Sequence, residues 1–264
     1  MPLLFLALGL AFQSPQNPSP MTEDVRANTR IVEQDVAGRR MPLSIGRLLI
    51  HGSAKRMPLV VHFHGPPWVA EQAASGRWKN VAVIAVDVGS GSGAYERTFA
   101  EPGRFAALLK EARQASGIEF SRLTLTSWSA GYGAVRAILR DGFKPDAVLL
   151  MDSLHAGYVT EGKPGPVLKD DLRPFVEYAR KGHLVMTHSE VFPGTFASTT
   201  EAIDDLLRDL GLRHHPVLKW GPLGMQEISE IKNDRVLVMG FAGNSAPDHE
   251  DHLFAMGDWL KLLK

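Results

Sequence analysis

An α/β fold is what this sequence predicts: a mostly parallel central sheet with helices on both faces and short cap loops. Two observations carry that expectation. From about residue 20 onward, short apolar runs alternate with amphipathic stretches. Those runs are continuously apolar, so as strands they are buried on both faces, as in parallel sheets covered by helices. The chain has 264 residues, which suits one large α/β domain. No linker or internal repeat divides it, so residues 21–264 read as a single domain behind a separate segment, 1–20.

Each element has its own signal. Residues 41–50 (MPLSIGRLLI) are apolar and extended, as part of an early hairpin. Residues 57–63 (MPLVVHF) form a buried-strand run that ends at Gly65-Pro66-Pro67. Residues 81–88 (VAVIAVDV) form another, closed by GSGSG. Residues 102–115 place Phe105, Leu108, Leu109 and Ala112 at helical spacing behind Pro102, a residue suited to a first turn. A strand over 123–126 leads into Ser127-Trp128-Ser129-Ala130-Gly131, and residues 130–140 read as a helix rich in small residues. The strand 147–151 precedes a loop holding Gly157, Gly162, Pro164 and Pro166. A helix over 170–180 puts Leu172, Phe175, Val176 and Ala179 on one side. A strand over 183–187 follows, then a helix over 200–210 capped by Thr199 or Thr200. A strand over 235–240 and a terminal helix over 249–263 complete the chain.

Composition narrows the function. Hydrophobic residues make up 44% and charged residues 22%, which excludes a disordered chain, a collagen-like fibre and a coiled coil. Lys plus Arg is 29 and Asp plus Glu is 29, so no bulk charge draws the protein to nucleic acid or acidic membranes. With Cys at 0, disulfides, thiolate nucleophiles and Cys-ligated zinc are excluded. Residues 1–12 (MPLLFLALGLAF) are apolar and uncharged, but shorter than the roughly twenty residues that span a bilayer. They suit a signal-peptide core, with Gly9 and Ala11 placing a cleavage after Ala11 and a polar linker over 13–20. No Lys or Arg precedes the run. The expectation is a secreted or periplasmic protein with no stable membrane anchor after processing, or a cytoplasmic one if the segment is not a signal.

The sharpest motif is LTLTSWSAGYGAVRAIL, residues 123–139, which reads strand, tight turn, helix with Ser129 at the turn. Taken alone, Ser129 is either an exposed nucleophile or the N-cap of a strand-to-helix turn. The run resembles the nucleophile elbow G-x-S-x-G of the α/β-hydrolase superfamily, with Ser127 in place of the first Gly. VVHFHGPPW, residues 60–68, resembles the His-Gly segment after that family's third strand. The resemblance extends from about Arg30 to the C-terminus in the order of elements. It implies an α/β-hydrolase fold and a serine hydrolase that cleaves a small-molecule carboxylic ester through an acyl-enzyme, with no cofactor and no metal.

The resemblance also implies roles. Ser129 is the nucleophile, and Ala130 gives one oxyanion N–H. Pro66 and Pro67 have no N–H, so Gly65 or Trp68 gives the other. The base follows the last strand, where His249 is favoured over His252 because it stands nearest the loop. The acid is Asp152, directly after a clean apolar strand, with Glu190 after the next strand as the alternative. Tyr158, Phe192, Phe196 and Trp128 are expected to bind substrate. His249 and His252 also have the spacing of a metal pair, but no third ligand at a zinc spacing stands near. The alternation of His62 and His64 reads as a strand end. Two other readings stay open: a peptidase or acyltransferase on the same fold, and an inactive binding protein, motivated by Ser127 and Pro66-Pro67.

Overall fold

The computed structural model describes residues 19–263. The signal-like segment 1–12 and its cleavage point lie outside the described residues. Ten strands form one sheet among the described residues. They are β1 (Arg39–Pro42), β2 (Arg47–His51), β3 (Arg56–Phe63), β4 (Val81–Val86), β5 (Glu119–Trp128), β6 (Ala147–Met151), β7 (His183–His188), β8 (His215–Trp220), β9 (Gln226–Lys232) and β10 (Val236–Phe241). Their spatial order is β1-β2-β4-β3-β5-β6-β7-β10-β9-β8. The central strands β4, β3, β5, β6, β7 and β10 are parallel. Antiparallel pairs extend the sheet at both edges.

The helices are α1 (Glu23–Thr29), α2 (Pro67–Arg77), α3 (Ser92–Phe99), α4 (Arg104–Ser116), α5 (Tyr132–Arg140), α6 (Lys169–Ala179), α7 (Thr199–Asp209), α8 (Ala246–Phe254) and α9 (Met256–Leu260). They make two cores, one on each face of the sheet. Tyr95, Leu108, Val135, Phe175 and Leu206, from α3 to α7, build the first. Val69 of α2, Leu253 of α8, and Met256 and Trp259 of α9 build the second. The all-buried patterns of β4 and β6 follow from this two-sided cover. The chain runs outward from β3 to β4, then crosses back through α3 and α4 to β5 on the other side of β3. Such a reversal opens a crevice at the carboxyl ends of the strands.

Several boundaries depart from expectation. The helix expected over 200–210 begins at Thr199, and its cap is Ser198, not Thr199 or Thr200. Ser198 Oγ accepts the Glu201 N–H, and the Glu201 carboxylate accepts the Ser198 N–H, a reciprocal capping box. The helix expected over 249–263 starts earlier, behind a second such box between Ser245 and Asp248, and breaks at Ala255 into α8 and α9. Pro67 is the first residue of α2, where a missing N–H costs nothing. Five elements have no counterpart in the expectation: α1, α2, α3, β8 and β9. In α1 no residue is buried. It is clipped to α8 by charge: Arg26 to Asp248 at 2.5 Å and Asp251 at 2.9 Å, Arg30 to Asp251 at 2.7 Å and Glu250 at 2.9 Å. Ser19, just ahead of α1, also hydrogen-bonds Asp248. Among the described residues no helix is long and apolar enough to cross a membrane.

Candidate active site

Backbone strain collects at the carboxyl edge of the sheet. His64, Ser129 and Asp152 directly follow β3, β5 and β6, with φ of +73°, +48° and +43°. L-residues with side chains rarely adopt such angles, and they persist where the surroundings over-determine them, most often at functional sites. At Ser129 the cause is local. The strand must turn at once into a short 3₁₀ turn and then α5. A Cβ on Gly131 would lie 2.1 Å from the Phe63 carbonyl oxygen, and one on Gly133 would lie 2.2 Å from that of Ser92. Only glycine allows this approach.

Ser127, in the place of the family's first glycine, has a partner. Its hydroxyl lies 2.7 Å from Ser153 Oγ, which donates to the Ser129 carbonyl at 2.8 Å. Since Ser153 spends its proton on that carbonyl, Ser127 donates to Ser153. The substitution buttresses the turn.

Asp152 is buried at 1% exposure. His249 Nδ1 lies 2.7 Å from its Oδ2. Ser189 donates its hydroxyl to the same oxygen at 2.5 Å and its N–H to Oδ1 at 3.0 Å. Burial alone would raise this carboxyl. The His249 hydrogen bond, the nearby His252 and the Ser189 hydroxyl outweigh it and hold the group far below the usual carboxylate range. An ionised carboxylate on Nδ1 fixes the His249 tautomer with Nε2 unprotonated, the form a base needs.

The alternatives fall elsewhere. His252 is buried, with Nδ1 2.7 Å from Thr187 Oγ1, and burial lowers it to about 4. Glu190 is half-buried, its N–H donating to the Gly243 carbonyl. The carboxylate on His249 is that of Asp152. The Nδ1 atoms of His249 and His252 thus face different partners.

Trp128 stacks against two imidazoles, His249 with centroids 4.8 Å apart and His64 at 5.2 Å. Ala130 follows Ser129 in the 3₁₀ turn. Gly65 has φ of +103°, and Trp68 is the first residue of α2 that has an N–H, its ring against Phe254. Phe192 and Phe196 are exposed at 48% and 41%, and Phe196 meets His155 edge-on. The structure removes Tyr158 from the expected lining. Its ring is buried and its hydroxyl donates to Glu201 at 3.0 Å, so it ties a cover loop down. The residues that sequence reasoning missed are hydroxyls, Ser153 and Ser189, together with the Tyr95 and Asp87 chain behind His64. Ser189 stands one residue before Glu190 at a strand end, the only signal it offered.

No family model matches the chain, and no curated protein matches it in sequence. Solved structures do. The enterochelin esterase of Shigella flexneri is similar over 89% of this chain and 61% of its own, with 14% identity and a TM-score of 0.55. The acylaminoacyl peptidase of Pyrococcus horikoshii is similar over 86% of this chain and 40% of its own, with 15% identity and a TM-score of 0.51. The chain thus spans less than two thirds of the length of either. At such identities the likeness speaks to architecture, and with the sheet order above it establishes that this chain has the α/β-hydrolase fold.

Proposed function

We propose that the protein is a serine hydrolase that cleaves a carboxylic ester through an acyl-enzyme. The observation that carries this reading is the buried Asp152 carboxyl on His249 Nδ1, at the same carboxyl edge of the sheet as a serine held at positive φ on a strand-to-helix turn. Structural or capping serines have no need of that strain. In the proposed cycle Ser129 Oγ attacks the carbonyl carbon while His249 Nε2 takes its proton. Asp152 keeps the imidazole in register and stabilises the imidazolium. His249 then protonates the leaving alcohol. Water, deprotonated by the same histidine, attacks the acyl-enzyme and releases the acid and free Ser129. The N–H of Ala130, with that of Gly65 or Trp68, holds the oxyanion. That solved structures of the same fold include an esterase and a peptidase supports acyl transfer as the class of chemistry.

The cover favours an apolar acyl group. The loops over 152–168 and 189–198 touch through the Ala156–Ala197 bridge, and Phe192 and Phe196 stand exposed on the second. The test is labelling with a fluorophosphonate followed by peptide mapping. We expect one adduct, on Ser129, abolished in His249→Ala. A folded protein that takes no label would leave the binding-protein reading in its place.

A further inference from the structure

We propose that Trp128 is a positioning residue for His249, fixing that residue's backbone and offering an aromatic face to the imidazolium. This rests on the hydrolase reading above. The sequence placed Trp128 among substrate contacts, but its indole stacks on two histidine rings, His249 and His64. Two independent contacts join it to the base. Its Nε1–H donates to the His249 carbonyl at 3.0 Å, and its ring lies under the His249 ring at 4.8 Å and 29°. An indole face attracts a cation through its quadrupole, and a hydrogen-bonded backbone holds that cation over it.

The second histidine stacked on Trp128, His64, is kept out of competition. Tyr95 donates to the Asp87 carboxylate at 2.7 Å, so its oxygen receives the His64 Nδ1–H at 2.9 Å and the Val88 N–H at 3.3 Å. This fixes His64 as one neutral tautomer, and burial lowers its pKa in spite of Asp87. The titratable groups within electrostatic reach of His249 are Asp152, His64, His155 and His252. Burial lowers all three histidines, so at neutral pH Asp152 is the charged one. Asp152 therefore meets the imidazolium in the plane of the ring, and Trp128 meets it on the face.

The experiment follows the rate of Ser129 phosphonylation by a fluorophosphonate against pH in the full chain, for wild type, Trp128→Phe and Trp128→Leu. The phenyl variant keeps an aromatic face and loses the Nε1–H. It should react more slowly at every pH with its acidic limb near that of wild type. The leucine variant loses both, and its limb should move to lower pH by about half a unit, because the cation is less favoured. An unmoved limb in Trp128→Leu overturns the proposal. Should that variant fail to fold, a wild-type rate at every pH in Trp128→Phe overturns it as well. A wild type that takes no label at all sinks the hydrolase reading instead, so the two failures are distinguishable.

Discussion

Asp152 and Glu190 both follow apolar strands, and the sequence favours Asp152 only by its place directly at a strand end; the hydrogen bond puts Asp152 on His249. Replacing Asp152 by Asn should lower kcat/KM by about 10⁴-fold, since the amide favours the wrong imidazole tautomer. Glu190→Gln should leave it near the wild-type value. Steady-state kinetics on any ester the protein turns over checks both, and the opposite ranking would move the acid to Glu190. That Ser129, Asp152 and His249 stand at loop positions beyond the strands was legible because each lies just past an apolar run or at the next helix start. Ser153 and Ser189 were not, because a hydroxyl's partner is set by how two distant loops cross. The φ values were equally hidden. Nothing in the composition around Asp152 announces a left-handed residue, whereas Gly131 and Gly133 do announce the tight approach at Ser129.

Most elements with an apolar stripe or run were legible, and α1, held by charge, was not. α1 has a Thr22 cap but no buried residue, so no hydrophobic period marks it. Its hold is ionic, and α8, which it holds, carries His249. Asp251 sits at the centre with no side-chain exposure, between Arg26 and Arg30. Removing both arginines leaves a buried carboxylate unpaired, a change that typically costs about 3–5 kcal/mol. We expect Arg26→Ala with Arg30→Ala to lower the urea midpoint accordingly and activity along with it. An unchanged midpoint would mean that α1 merely rests on α8. β8 escaped notice for a related reason. It is exposed at almost every position, so neither a continuous apolar run nor an alternation appears. Pro216 and Lys219 on this outer strand are residues that discourage further strand pairing.

The alternation of strands and helices, and hence the two-layer cover, was legible across the whole chain. The strand order was not, because the crossing back over β3 leaves no local mark. One consequence belongs to the molecule as a whole. His62, His188 and His252 are buried, and desolvation lowers each to about 4. In the unfolded chain a histidine titrates near 6.5, so below that pH the unfolded state binds protons that the folded state refuses. Stability is therefore full above about 6.5 and declines as pH falls toward 4. Each histidine accounts for about 3 kcal/mol of that decline. Three together rival the about 5–15 kcal/mol that holds a typical domain folded. Circular dichroism against pH should show cooperative acid unfolding between about 4 and 6. A native signal persisting well below pH 4 would contradict the burial of these rings. The clip between α1 and α8 also matters to anyone who handles the protein. Because it ties the first described helix to the helix of His249, a truncation that removed α1 would reach the proposed catalytic base without deleting any of the proposed catalytic residues.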